Sequence, residues 1–459
     1  MANSYPPVYN DSKDAVFRRL DPTKYTSLAD FIDEINKPDN RDQLVKTYGY
    51  QQISGGLTGF LSLTGAVRAS GTADEVQYWE ETRLHAAAKV KNATAAAAAT
   101  TMTFTKATGD ASVLRLNDVV LYDGQYRGIV TAITPTGEVA HNATASYTVE
   151  LLSQTLGASA ATANVDLPVI GNLFAQGSDQ NKGYLESNVI KRTNAYNIIK
   201  EVFKVTGSQA TNIGWVNVGN GDYRWYVKGE MDTRARFLDK REMMLLLGDS
   251  ITNTLTTTNI GGTPTAGEGY FSAIEDRGIV QDGIITSLGT IDTLIENLDQ
   301  QGAAPEYAMY VNTAQALEID DMVASLNGAA GFGNVTTGIN AFGGRGNELG
   351  FDSFKRGGYT FHKHSWKLLN DPTLLGAESY YKGAMIPLTT VVDPKTGDRA
   401  AALELNYKDT NGYSREMEHW MTGSILGVNN TNEDSLQFNY RSECALVTRA
   451  ANQHILITE

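Results

Sequence analysis

The sequence predicts an α+β fold, with helices and strands gathered in separate stretches. Three observations predict it. Residues 221–250, GDYRWYVKGEMDTRARFLDKREMMLLLGDS, carry both signs of charge, many apolar side chains and no proline, and read as one long helix. Residues 101–155 hold short strands at close intervals. An α/β pattern over residues 285–330 is followed by a final stretch that is mostly strand.

The bulk numbers bound what the chain can be. At 459 residues it is too long for one simple core, and about two to four domains are expected. A net charge of -14, with no Lys/Arg cluster, argues against a reader of nucleic-acid sequence. The single cysteine, Cys444, excludes an internal disulfide and suits a reducing compartment. The start, MANSYPPVYNDSKD, lacks a charged-then-apolar leader pattern, and no run approaches the ~18 apolar residues of a membrane span. The sequons at Asn92, Asn142, Asn334 and Asn429 read as chance in an Asn/Thr-rich chain.

Taken in order, the first fifty residues read as an arm with a short helix at SLADFIDEINKP, capped by Ser27 and ended by Pro38. SGGLTGFLSLTGAVRASGT is rich in glycine and reads as a connector, not a helix. In ADEVQYWEE, Val76, Tyr78 and Glu80 alternate with Gln77, Trp79 and Glu81, the period of a strand. The strands of 101–155 lie between two Ala-rich joints, with Asp123-Gly124 as a hairpin turn. They read as a small β domain inserted in a longer hairpin; a continuous part of one sheet is the alternative. The long helix starts near Asp222. Val227, Met231, Ala235, Leu238 and Leu245 form its stripe, with Tyr223, Phe237 and Met244 beside it. Glu230–Arg234 and Asp232–Arg236 are spaced for helical ion pairs, and Gly248 is a natural stop. About 25 residues at ~1.5 Å each give a rod of nearly 40 Å. The apolar spacing fails a heptad, so a strut across a domain is the better reading. Downstream come a helix in TIDTLIENLDQQG, a buried strand in EYAMYVN and a helix over TAQALEIDDMVASLNG capped by Thr313. A glycine-rich loop spans residues 329–350. After it, GYTFHKHSWKLLN, AMIPLTTVV, AALELNYK, MTGSILGVN, SLQFNYRS and ECALVTRA read as strands.

Chemistry is sparse. His362 and His364 share one face of a strand, but no further ligand lies near them in sequence, so a metal site is not expected. The glycines at 331, 333, 343, 344 and 346 lack the Lys-Ser/Thr of a phosphate loop and the flanking helix of a dinucleotide site. No GxSxG elbow occurs, and REMEHW lacks one histidine of the zinc-protease pattern. No catalytic residue, cofactor or metal is assigned.

The order of parts carries a resemblance. A strand-like stretch around VQYW, a small β insertion, RTNAYNIIKEVFKVTGSQAT, and a long charged helix ending REMMLLLGD resemble the major capsid proteins of tailed double-stranded-DNA bacteriophages, the capsid fold shared with herpesviruses. TIDTLIENLDQQGAAPEYAMYVNTAQALEI and LGFDSFKRGGYTFHKHSWKLLNDP look like that family's axial helix, strand and returning strand pair. A crAss-like phage is the source suggested. The resemblance implies an N-terminal arm (1–60) and an extended loop (61–185) with the β insertion at about 95–165. It further implies a peripheral domain (186–265 and 385–459) with a spine helix at 222–247, and an axial domain (266–384). It implies a structural protein of the virion, not an enzyme, assembled in the host bacterial cytoplasm as hexamers and pentamers of an icosahedral shell. The shell encloses double-stranded DNA without reading its sequence and has no membrane. A separate scaffold protein is expected, because the stretch before residue 60 is short for a cleaved scaffold segment; portal and decoration proteins are further partners. Covalent Lys–Asn crosslinks between subunits are not expected. Tyr78, Trp79, Arg234 and Arg236 are the residues expected at contacts between subunits. Another virion component, of tail or fibre, and a soluble α/β enzyme are the other readings; the first calls for repeats and the second for a clustered polar site.

Overall fold

The computed structural model describes residues 56–85, 87–94, 100–106, 113–134, 146–153, 155, 164–180, 187–212, 225–251, 264–329, 353–375, 380–388, 390–392, 397 and 399–459. The arm, the short helix before Pro38, the start of the long helix with Tyr223 and the glycine-rich loop lie outside these residues. The chain forms two bodies: Glu75–Asn194, and Met1–Asp74 with Ala195–Glu459.

The main body opens with a helix where a connector was expected. Helix α1 (Leu57–Leu63) buries Leu57 and Leu61, one turn apart, in the principal core. Its N-terminus is satisfied from far away in sequence: Glu242 accepts from the Leu57 backbone N–H at 2.8 Å and from the Thr58 hydroxyl at 3.2 Å. Glycine content argued against the helix, and a tertiary cap outweighs that propensity. Gly56 is required by space. A Cβ there would lie 2.5 Å from Trp366 Nε1 and 2.9 Å from Glu242 Oε1. Strand β1 (Val67–Ala69) follows.

The second body begins with β2 (Glu75–Glu81). Six strands then close into a barrel: β3 (Ala87–Thr94), β4 (Thr101–Lys106), β5 (Asp118–Tyr122), β6 (Tyr126–Thr134), β7 (Ser146–Leu151) and β8 (Asn164–Asn172), in the order β3-β4-β7-β6-β5-β8. All its pairings are antiparallel. Val90, Phe104, Val120, Val130, Tyr147, Val149 and Leu167 fill the interior, so the barrel is a packed core. The strands reach from 87 to 172, beyond the expected 95–165. The first and last strands pair with each other, a contact across the whole insert that the Ala-rich joints concealed. Asp123 and Gly124 are both left-handed, as a two-residue turn demands. Strand β9 (Val189–Ala195) returns to pair with β2.

The main body continues with β10 (Asn197–Thr206), α2 (Gly207–Thr211), the long helix α3 (Trp225–Leu247), α4 (Tyr270–Arg277), β11 (Ile279–Gln281), α5 (Leu288–Gln300), β12 (Glu306–Val311) and α6 (Thr313–Ala329). Then come β13 (Ser353–Arg356), β14 (Tyr359–Ser365), β15 (Tyr381–Pro387), β16 (Thr390–Val392), β17 (Arg399–Ala401), β18 (Leu403–Tyr407), β19 (Asp409–Thr410), β20 (Tyr413–Ser414), β21 (Glu418–Gly423), β22 (Ser435–Thr448) and β23 (Ile455–Thr458). One sheet runs β1-β18-β22-β10, with β21 also on β22; the other runs β11-β23-β15-β12-β14-β13. SLQFNYRS and ECALV, expected as two strands, are one strand of 14 residues, because β10 and β21 pair its first part and β18 its last.

Helix α3 lies on this sheet by only part of the expected stripe: Leu245, with Phe237 beside it, is buried. Thr233, Phe237, Arg241, Glu242, Leu245 and Leu246 are buried, whereas Met231 is 56% exposed and Ala235 is exposed. Apolar residues occur on several faces of the helix, and the sheet selects the face whose shape fits. Phe237 packs on Tyr440 at 5.7 Å between ring centroids. Gly229 lets the helix approach β10, since a Cβ would meet Phe203 at 2.5 Å. The two helical ion pairs also differ from expectation. Glu230 accepts from the Tyr440 hydroxyl, and Asp232 pairs with Lys228 at 2.5 Å. Gly248 ends the helix through close approach: a Cβ would lie 2.5 Å from Met244 O and 2.9 Å from Gly267 O. The cap of α6 is Asn312, one residue before Thr313, with its Oδ1 accepting from Gln315 N–H at 2.8 Å.

The substitution Gly56→Ala is expected to lower stability by about 1–3 kcal/mol through overpacking. Gly59→Ala, in the same helix with nothing within 4 Å, should raise it by roughly 0.5–1 kcal/mol. Chemical denaturation of the two variants checks the opposite signs.

Candidate functional site

The strand period of β10 divides its side chains between two faces. Ile199, Phe203 and Val205 pack with Phe237, Leu436, Phe438 and Tyr440 beneath α3. Ile198 (45% exposed), Lys200, Val202 (51%) and Lys204 point to the opposite face. Register places Lys200 beside Arg441, Val202 beside Asn439 and Lys204 beside Gln437, with Glu418, Trp420 and Thr422 of β21 across from the same three residues. Polar contacts tie this open face together. Arg441 Nε donates to Glu418 at 2.8 Å, and its guanidinium lies 4.9 Å from the centre of the Trp420 ring. Gln437 Nε2 donates to Asn439 Oδ1 at 2.7 Å, and Asn439 Nδ2 to Thr422 Oγ1 at 3.3 Å. Burial pushes the Glu418 carboxyl up, but the Tyr413 hydroxyl and the Arg441 guanidinium outweigh it and hold the group below the usual range. The result is an exposed surface of apolar side chains with cations between them; Glu433 pairs with Lys204 at its end.

In the other body, among the described residues, β2 and β9 form a two-stranded ribbon. Tyr78 is buried, while Glu75, Gln77, Trp79 and Glu81 are exposed on the opposite face. Trp79 is 65% exposed, and the Lys191 ammonium stands 5.9 Å from its ring centre. Beyond Glu81, Thr82 N–H donates to Asn188 O at 2.9 Å, and Arg192 Nε pairs with Glu80 at 3.4 Å.

The four residues singled out from sequence are therefore divided. Tyr78 and Trp79 sit on the ribbon with opposite exposure. Arg234 and Arg236 sit exposed on α3, where Arg236 Nη2 donates to Thr233 Oγ1 at 3.3 Å. The open face of β10 escaped sequence reasoning. Its signal was present: apolar residues occur at both phases of the strand period over 198–205, which marks a strand with two usable faces.

Histidine chemistry takes no site-like form. His362 Nε2 lies 3.0 Å from Glu306, and His364 stacks on Tyr310 at 5.3 Å. Among the described residues no group of three His, Cys, Asp or Glu could hold a metal ion. Cys444 is buried in the core. Among the same residues, no helix is long and apolar enough to cross a membrane. His454 is fully buried, its Nδ1 2.9 Å from the Tyr270 hydroxyl. Burial pushes this imidazole down to about 4, and a backbone hydrogen bond at Arg449 offsets only part of that.

No protein-family model matches the chain, and no curated protein does. Similar solved structures include a chain of Gordonia phage Cozz, with TM-score 0.42 and 8% identity over 96% of this chain and 98% of that one. A chain from the capsid structure of the cyanophage P-SCSP1u has TM-score 0.41 and 9% identity, covering 100% and 99%. A chain from the capsid of a native GTA particle has TM-score 0.39 and 8% identity, covering 95% and 99%. At such scores, function has to be argued from this chain's own surfaces.

His454 makes stability depend on pH. Its folded value of about 4 lies below the ordinary 6.5, so between these the unfolded chain binds more protons. The contribution is complete above pH 6.5 and is lost as pH falls toward 4, by roughly 3 kcal/mol. His454→Gln should flatten the fall in denaturation midpoint between pH 7 and 4.5 relative to the parent protein.

Proposed function

We propose that the chain is the major capsid protein of a tailed bacteriophage. It assembles as hexamers and pentamers into the icosahedral shell around the genome, in the host cytoplasm. The observation that carries this reading is the ribbon. Two strands alone are marginal in water, yet here one face of the pair is bare and carries Trp79 between Glu75, Gln77 and Glu81 of its own strand, with Lys191 of β9 over its ring. A surface that suits it exists on the same polypeptide: the open face of β10, apolar and cationic. A chain that carries both halves of a contact builds assemblies of identical copies. The ribbon of one copy on the sheet of the next uses complementary charge to set register. Many weak contacts of this kind add up in a closed lattice.

Within this reading, residues 186–265 and 385–459 form the peripheral domain, with 222–247 as its spine helix, and 266–384 form the axial domain. Residues 61–185 are the extended loop with its barrel, and 1–60 the arm. Arg234 and Arg236 on the bare side of the spine join Tyr78 and Trp79 at subunit contacts. A separate scaffold protein, a portal and decoration proteins complete the particle. The net charge of -14 suits a container that does not bind its DNA tightly or read its sequence.

Trp79→Ala should weaken assembly, with the melting temperature of the monomer nearly unchanged; equal loss of both would refute the docking role. Lys200→Glu with Lys204→Glu should abolish rings, tubes and shells in negative-stain microscopy. Mixing that variant with Glu75→Lys/Glu81→Lys chains should restore six-membered rings and tubes. A protein that stays monomeric with its scaffold present would sink the reading.

A further inference from the structure

The chain leaves the main body at Asp74 and re-enters it at Ala195. Both crossings hang from one row of the five-stranded sheet, in which Ala69 pairs with Tyr407, Tyr407 with Cys444, and Cys444 with Asn197. The returning side is anchored by burial, since Tyr196 and Asn197 are both inside. The departing side is held differently. Ser70 N–H donates to Tyr407 O at 2.9 Å and Asp409 N–H to Gly71 O at 3.2 Å, the last ladder bonds of the departing strand. Gly71 is left-handed, with open space where a Cβ would be. Three residues on, the Lys408 ammonium lies 2.5 Å from Asp74 Oδ1 and 3.5 Å from Glu443 Oε1.

The two carboxylates that share Lys408 are unlike. Glu443 is 7% exposed and is also bound by Arg415 Nε. Asp74 is 93% exposed, and Lys408 is its partner. Losing Asp74 therefore leaves the buried charge satisfied, because Glu443 keeps both of its cations. An exposed pair is weak and screened by salt, so it opens and closes easily.

We propose that Lys408 and Asp74 form a reversible latch, with Gly71 as its swivel, that holds residues 71–74 against the end of β18. The Lys408 hydrogen bond and charge hold the Asp74 carboxyl below its usual range, and the same bond raises Lys408. Glu443 and Arg415 form the fixed side of the latch. The device belongs to the single chain, so its failure leaves the shell reading standing.

Hydrogen exchange read by mass spectrometry on the full-length monomer tests it. Asp74→Asn should speed exchange at the Ser70 and Asp409 amides by about two- to five-fold, the range an exposed pair supports, with Tm unchanged. Parent protein in 1 M NaCl should approach the variant, as expected of a screened pair. Lys408→Met should give the same local gain and also a lower Tm, because Glu443 then loses a cation. Equal exchange at Ser70 and Asp409 in parent and Asp74→Asn would overturn the latch. So would a rise spread evenly over β18 and β22.

Discussion

The main body depends on one strand. Over its 14 residues β22 gives one edge to β10 and the other to β21 and then β18. Its residues alternate between the helix face and the open face, then become buried on both sides from Ser442 onward. The first part can therefore present Asn439 and Arg441 outward while Phe438 and Tyr440 pack toward α3. The last part enters the principal core with Cys444 and Leu446. Surface and core are thus built on the same backbone ladder.

The long helix is positioned by that strand. Phe237 lies on Tyr440, Glu230 takes the Tyr440 hydroxyl, and Lys240 reaches Glu201 of β10. At its far end Glu242 turns away from the sheet and caps α1. A charged rod is thereby used at both ends, once as a lid and once as an anchor. The buried carboxylate of Glu242 is tolerable because the Leu57 backbone N–H and the Thr58 hydroxyl donate to its two oxygens.

Where sequence reasoning erred, a distant partner supplied the missing term. Glycines at 55, 56 and 59 argued against a helix at α1, and no local signal pointed to Glu242, nearly two hundred residues away. The stripe through Met231 and Ala235 was a fair reading of spacing, yet which apolar face is buried depends on where β10 and β22 stand. Trp79 was legible as a large residue on a strand of mixed faces. The open face of β10 was harder to read, because Ile198 and Val202 look like core residues in one dimension.

By itself the sequence determined the kinds of element and their order: the long rod, the run of short strands, the α/β stretch and the strand-rich end. Local periodicity, turn residues such as Asp123-Gly124, and composition set these, and each acts within a few residues. Only the tertiary structure decided which faces stay bare, how the insert closes on itself through β3 and β8, and why Gly56, Gly229 and Gly248 have no side chain. Those outcomes come from excluded volume and from caps contributed across long loops, which a linear pattern does not encode.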